Sequence, residues 1–343
     1  MTTENLLKKT VNGSRIRNIL LTNDDGIYAP GLAAMERALR RLGDVYVVAP
    51  SREQSGVSHS ITFLTPLTVK NVFVDDKHWG WAVDGSPADC VKLGTTEILP
   101  ELPDLIVSGI NGGLNAGINV LYSGTVAAAI EGAFYGITSF AVSLEYNENE
   151  PFYKAADIAV NVIEEVLQKI EHDPKNEHET KKHNTGIGQL LSSENHKISG
   201  DLYNLNIPFS ALSNPCPEVR IVGMDVTPEW ELFEGRVDPM GRPYYWLSGR
   251  PDPRQPVKKQ SEQLTDIAAL AQGFITLSPL NFNLTDKIKL KKMESWKTTT
   301  WNLSSQNNSE ESTLSNAPSI RTTVGVDETK NSKLRERNKN THQ

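Results

Sequence analysis

Ile19-Leu20-Leu21-Thr22-Asn23-Asp24-Asp25-Gly26 is the stretch whose reading decides the fold. The apolar run from Ile16 to Thr22 reads as a buried strand and breaks directly into a polar loop, Asn23 to Tyr28. Pro30 then opens a helix at the one position where a missing N–H costs nothing. Leu32, Met35, Leu39 and Leu42 recur at helical spacing, and Gly43 supplies the stop. A second strand, Val45 to Ala49, is ended by Pro50 and a loop rich in Ser and Gly.

The same cycle repeats downstream. Trp81 to Val83 leads into Ser86-Pro87, an N-cap followed by proline, and a helix is expected over Ala88 to Leu99. Leu105 to Ser108 is a buried strand running into the glycine-rich loop Gly109 to Gly117. A helix of small residues, Ala127 to Tyr135, and a strand, Ser139 to Leu144, follow. Strands alternating with helices of this length imply an α/β fold, a parallel sheet with helices on both faces. In such sheets ligands bind outside the carboxyl ends of the strands. The loops beginning at Asn23, Ser51 and Gly109 each follow a strand directly, so all three are expected on one edge of the sheet.

Further on, Ala155 to Ile170 reads as an amphipathic helix, and Leu202 to Ile207 and Val219 to Val226 as strands. Glu229 to Gly249 carries aromatics between Gly and Pro turns and suggests an extended hairpin or arm. Thr265 to Gln272 reads as a short helix and Gly273 to Leu277 as a strand. Residues 1–15 are a polar extension, 16–286 the main domain, and 171–199 a charged insertion within it. The polar stretch 287–343 has few aliphatics, and disorder is expected there.

Composition narrows the function. A net charge of -7 gives no support for a broad nucleic-acid surface. Two cysteines, Cys90 and Cys216, make neither a disulfide framework nor a zinc spacing. The first fifteen residues have no apolar run of signal-peptide length, and Ile19-Leu20-Leu21 is too short to span a bilayer. A cytoplasmic protein that binds neither membrane nor nucleic acid is the expectation.

The loops carry the chemistry. Asp24 and Asp25 place two carboxylates at the end of a buried strand, and hard cations such as magnesium and manganese prefer such oxygen ligands. Asn, Asp and Gly are also ordinary turn formers, so this loop alone is equally a turn. In the Ser51 to Ser60 loop, a serine hydroxyl would complete a metal shell and Arg52 or His59 would face an anion; a supporting role is favoured for His59. The stretch Ser108 to Gly117 lets backbone N–H groups approach an oxyanion closely, and Asn111 and Asn115 add amides. It has neither the P-loop pattern nor a dinucleotide fingerprint, which sets a dehydrogenase aside. Ser123-Gly124-Thr125 precede a helix and suit either an anion or a plain N-cap.

At these residues the chain resembles the SurE family of 5′-nucleotidases. The resemblance is carried by 19–26, by Val48-Ala49-Pro50-Ser51-Arg52 with Gln54-Ser55-Gly56, and by Gly85 to Val91. Val107 to Gly113, Tyr122 to Ala129, Leu264-Thr265-Asp266 and Gly273 to Leu280 extend it over roughly residues 16 to 286. It implies a three-layer, Rossmann-like core with an extended C-terminal arm, placed here at 229–249, and a homodimer or homotetramer. It implies one magnesium or manganese ion per subunit on Asp24, Asp25, Ser55 and Asn111. Asn115, Ser123, Gly124 and Thr125 would line the phosphate pocket, with Asp24, Asp25, Asn115 and Ser123 taking part in catalysis. The implied reaction is hydrolysis of nucleoside 5′-monophosphates by metal-activated water. Covalent attack by Asp24 is the weaker route, because haloacid-dehalogenase phosphatases space their aspartates one residue apart and these are adjacent. A nucleotide- or phosphate-binding regulatory module without turnover is the alternative.

Overall fold

The structure, a computed structural model, describes residues 16, 18–148, 151–172, 200–227, 231–251, 264–294 and 296. The chain divides into two units, one made of 1–227 with 260–283 and the other of 228–259 with 284–343. The polar extension 1–15 and most of the charged insertion lie outside the described residues.

In the first unit, β1 (Asn18–Thr22) is followed by α1 (Pro30–Leu39), β2 (Asp44–Pro50), β3 (Val69–Val74) and β4 (Lys77–Val83). Next come α2 (Pro87–Leu93), β5 (Leu105–Gly112), α3 (Gly124–Phe134), β6 (Ser139–Leu144) and α4 (Phe152–Glu171). The unit closes with β7 (Leu202–Ile207), α5 (Phe209–Ser213), β8 (Val219–Ile221), α6 (Asp266–Ala271) and β11 (Ile275–Pro279). Between β8 and α6 the chain runs through the second unit, whose hairpin is β9 (Glu231–Val237) and β10 (Pro243–Pro251).

The nine-stranded sheet has the order β3-β4-β2-β1-β5-β6-β7-β11-β8. The run from β4 to β7 is parallel throughout, and only β3 and the β7–β11 pair are antiparallel. Every residue of β1 is buried, because helices cover both faces. Ile19 and Leu21 pack with Leu32, Met35 and Leu39 of α1 and Ala155, Ala159 and Ile163 of α4. Leu20 faces the other way, onto Cys90, Val91 and Ala128 of α2 and α3. Each such aliphatic side chain contributes about 1.5–3 kcal/mol on burial. This is the expected three-layer α/β sandwich.

Two expectations are corrected in detail, and one hairpin was largely unread. The helix foreseen over 88–99 stops at Leu93 and passes into a π-turn, Gly94–Ile98. The edge hairpin β3–β4 was legible only at its end, because Val72 is the single buried residue of β3 and its sequence, VKNVFV, shows no apolar/polar alternation. Residues 287–294, expected to be disordered, form α7 (Lys287–Glu294), a helix without a buried residue in the second unit. The expected arm corresponds to the antiparallel hairpin β9–β10. Among the described residues no helix is long and apolar enough to cross a membrane.

Candidate active site

Asn23 shapes the first loop. Its side-chain amide donates to the Gly26 carbonyl at 3.0 Å and accepts from the Gly26 N–H at 3.2 Å, closing a tight turn that Gly26 completes at φ +98°. That turn sends the two aspartates into different surroundings. Asp24 is buried and Asp25 half-buried.

The three loops meet at the carboxyl edge of β2, β1 and β5, as expected. Gln54 N–H donates to the Asp24 carbonyl at 2.7 Å, and Gly112 N–H donates to Asp25 Oδ2 at 3.3 Å. A fourth segment joins them: the Thr125 hydroxyl, in the first turn of α3, donates to Asp24 Oδ1. Ser123 caps this helix, its Oγ accepting from Val126 N–H at 3.1 Å. Gly124 lies so close to Asp24 that a Cβ there would stand 2.9 Å from Asp24 Cβ and 3.1 Å from Oδ2. The absent side chain is what lets the positive end of α3 rest against the carboxylate. Burial nevertheless pushes the Asp24 carboxyl above its ordinary value of 3.8, outweighing the hydrogen bonds from Thr125.

The remaining site residues expected from the sequence lie on the same loops. The exposed Ser55 follows Gln54, and its hydroxyl donates to Glu53 Oε1 at 2.8 Å. Asn111 Nδ2 donates to the Gly113 carbonyl at 2.6 Å. Asn115, only 9% exposed, donates from Nδ2 to Ser143 Oγ at 2.9 Å. Beside Asp25 a cavity of about 390 Å³ is lined by Tyr28, Ser51, Arg52, Glu53, Gly112 and Phe152 among others.

His59 holds its loop to α3. Its Nε2 is 2.8 Å from Glu131 Oε2, its ring stacks on Phe134, and Lys92 donates to Glu131 Oε1 at 3.0 Å. Burial alone would push the Glu131 carboxyl up, but His59 and Lys92 together hold it below its ordinary value. A supporting position for His59 was foreseen; its partner, seventy-two residues away, was not.

Among the described residues no group of three or more His, Cys, Asp or Glu side chains converges. A cation at the aspartate pair would therefore draw on hydroxyl and amide oxygens, the donor set that Ser55 and Asn111 offer. A buried carboxylate whose charge is unfavoured and an all-oxygen neighbourhood fit a hard divalent ion.

The family model described as Survival protein SurE matches residues 19–233. The chain belongs to the SurE family. A relative from Rhodopirellula baltica named 5′-nucleotidase SurE is 50% identical over 280 residues, spanning 81% of this chain and 98% of the relative. Another of that name, from Caldanaerobacter subterraneus subsp. tengcongensis, is 37% identical over 281 residues, covering 82% of this chain and 97% of its own. The SurE protein from Aquifex aeolicus, known from its crystal structure, superposes with a TM-score of 0.61 at 33% identity. That match covers 81% of this chain and 98% of the crystal chain, so the SurE fold spans the sheet and its helices.

Proposed function

We propose that this SurE-family chain hydrolyses nucleoside 5′-monophosphates to nucleoside and phosphate with the help of a divalent cation. Its class, 5′-nucleotidase, rests on relatives that carry that name at up to 50% identity over most of the chain. One observation carries the mechanistic reading: Asp24 touches both Thr125 and Gly124 at the start of α3. A bare carboxylate there would repel the phosphate that a helix N-terminus attracts. A divalent cation held by the aspartates would remove the conflict.

Asp24, Asp25, Ser55 and Asn111 are assigned to hold that cation, magnesium or manganese. When bound, it neutralises phosphoryl charge and acidifies the attacking water. The chain's own residues do the rest. Asn115, Ser123 and the N–H of Gly124 hold the phosphoryl oxygens and stabilise the charge they gain, while Thr125, whose hydroxyl is given to Asp24, holds that carboxylate at the edge of the phosphate pocket. Water attacks phosphorus and the bond to the 5′ oxygen breaks; one proton of that water ends on the departing 5′ oxygen and the other stays on the released hydrogen phosphate. A homodimer or homotetramer belongs to the same reading. It is supported by the exposed Phe233, Tyr245 and Trp246 of a two-stranded hairpin that cannot bury them alone.

The test is phosphate release from a panel of mononucleotides with manganese, with magnesium and with chelator. Release is expected with metal and should fall by about 100-fold or more when the metal is removed. Tight nucleotide binding without release under every metal would favour a regulatory module instead. Undiminished release in chelator would sink the cation's role.

A further inference from the structure

The loop that carries Asn115 is fastened by side chains from a strand and a helix far along the chain. Asn206 Oδ1 accepts from Asn115 N–H at 2.8 Å, while Asn206 Nδ2 donates to the Asn115 carbonyl at 3.0 Å. One side-chain amide thus fills both backbone groups of Asn115, as a neighbouring strand would. Asn204 Nδ2 donates to the same carbonyl at 2.7 Å. Two residues on, Gly117 N–H donates to Asp266 Oδ2 at 2.7 Å.

These contacts could be no more than satisfaction of a loop's backbone, which buried polar groups often provide. The fixing of the Asn115 side chain points further. Ser143 Oγ, opposite Asn206 in the register of β6 and β7, accepts one hydrogen of Asn115 Nδ2. That bond sets the rotation of the amide, and the second N–H of the same nitrogen is then fixed in direction. Ser143, Asn204 and Asn206 are all fully buried, so their own rotamers are set by packing. The clamp is also neutral where it touches Asn115, which suits a site for an anion.

We propose that Asn206, with Ser143 and Asn204, is a positioning residue for phosphate recognition and acts through Asn115. The proposal rests on Asn115 belonging to the phosphate pocket. Outer partners of this kind typically matter by about 10- to 100-fold in affinity or activity.

The test uses the full-length protein with manganese and a nucleoside monophosphate, and reads KM together with the inhibition constant of inorganic phosphate. A loss of folded enzyme lowers the rate but leaves that inhibition constant unmoved. Asn115→Ala and Asn206→Ala are each expected to weaken phosphate inhibition about tenfold or more, and Ser143→Ala by a smaller factor. In the double variant Asn115→Ala/Asn206→Ala, the second change should add nothing to the first. Folded Asn206→Ala and Ser143→Ala with an unchanged inhibition constant would overturn the clamp, as would effects that multiply in the double variant. If Asn206→Ala fails to fold, Ser143→Ala, which loses only a hydroxyl, decides in the same way. An unchanged constant in Asn115→Ala would instead refute the phosphate-pocket reading, and the clamp with it.

Discussion

Asp24→Asn is expected to lower turnover by about 10³-fold or more while the fold survives. The two side chains have the same shape, and an asparagine can still accept from the Thr125 hydroxyl. What it loses is the negative charge a cation needs. The effect on stability should run the other way. Because the folded-state pKa lies above the ordinary 3.8, the unfolded chain gives up this proton at lower pH than the folded one. Stability owed to Asp24 therefore falls as pH rises from below 3.8 through the raised folded value. A neutral asparagine has no such loss. In metal-free buffer at pH 7, Asp24→Asn should melt at the same temperature as the wild type or higher, and added manganese should raise its melting point less. Wild-type turnover in this variant, or a marked loss of metal-free stability, would contradict that account.

Gly124→Ala should also be costly, for a geometric reason. Alanine at an exposed helix position gains up to about 1 kcal/mol over glycine. Here the new Cβ would stand 2.9 Å from Asp24 Cβ and 3.2 Å from Pro87 Cγ, both in packed surroundings. Overpacking of this kind costs about 1–3 kcal/mol, so the clash wins. The relief available is a shift of α3 away from Asp24, which separates Thr125 from the carboxylate and displaces Ser123. Displacements approaching 1 Å can reduce a rate by about 10²-fold, and that is the expected loss in phosphate release. Denaturant unfolding and turnover, measured together, check both halves. A stabilised variant with full activity would mean that the helix start and Asp24 do not depend on each other.

Much of this was legible in the sequence because the physics is local. The strands β1, β2, β5 and β7 are apolar or alternating runs stopped by Pro, Gly or Asn, β6 is an apolar run begun after Gly136, and Pro30 and Pro87 mark helix starts. Parallel pairing then brought the loops after Thr22, Pro50 and Ser108 to one edge, where the backbone bonds of Gln54 and Gly112 join them. The split between Asp24 and Asp25 was not legible, because adjacent identical residues differ only in what the Asn23–Gly26 turn does to them. Asn204 and Asn206 were missed for another reason. In Leu202–Ile207 their alternation with Leu205 and Ile207 suits a strand with one solvated face. This sheet is covered on both sides, so the polar positions are fully buried and turn toward the loop of Asn115. Contacts such as His59 with Glu131 span seventy-two residues and leave no periodic signal.

The central claim is that the aspartate pair holds a cation and does not attack phosphorus. A single-turnover hydrolysis in oxygen-18 water, with enzyme in excess over nucleoside monophosphate and manganese present, tests it most directly. If water attacks, the label enters the released phosphate in the first turnover and the carboxylates of Asp24 and Asp25 stay unlabelled. Label appearing first in either carboxylate, with unlabelled phosphate released, would contradict the account.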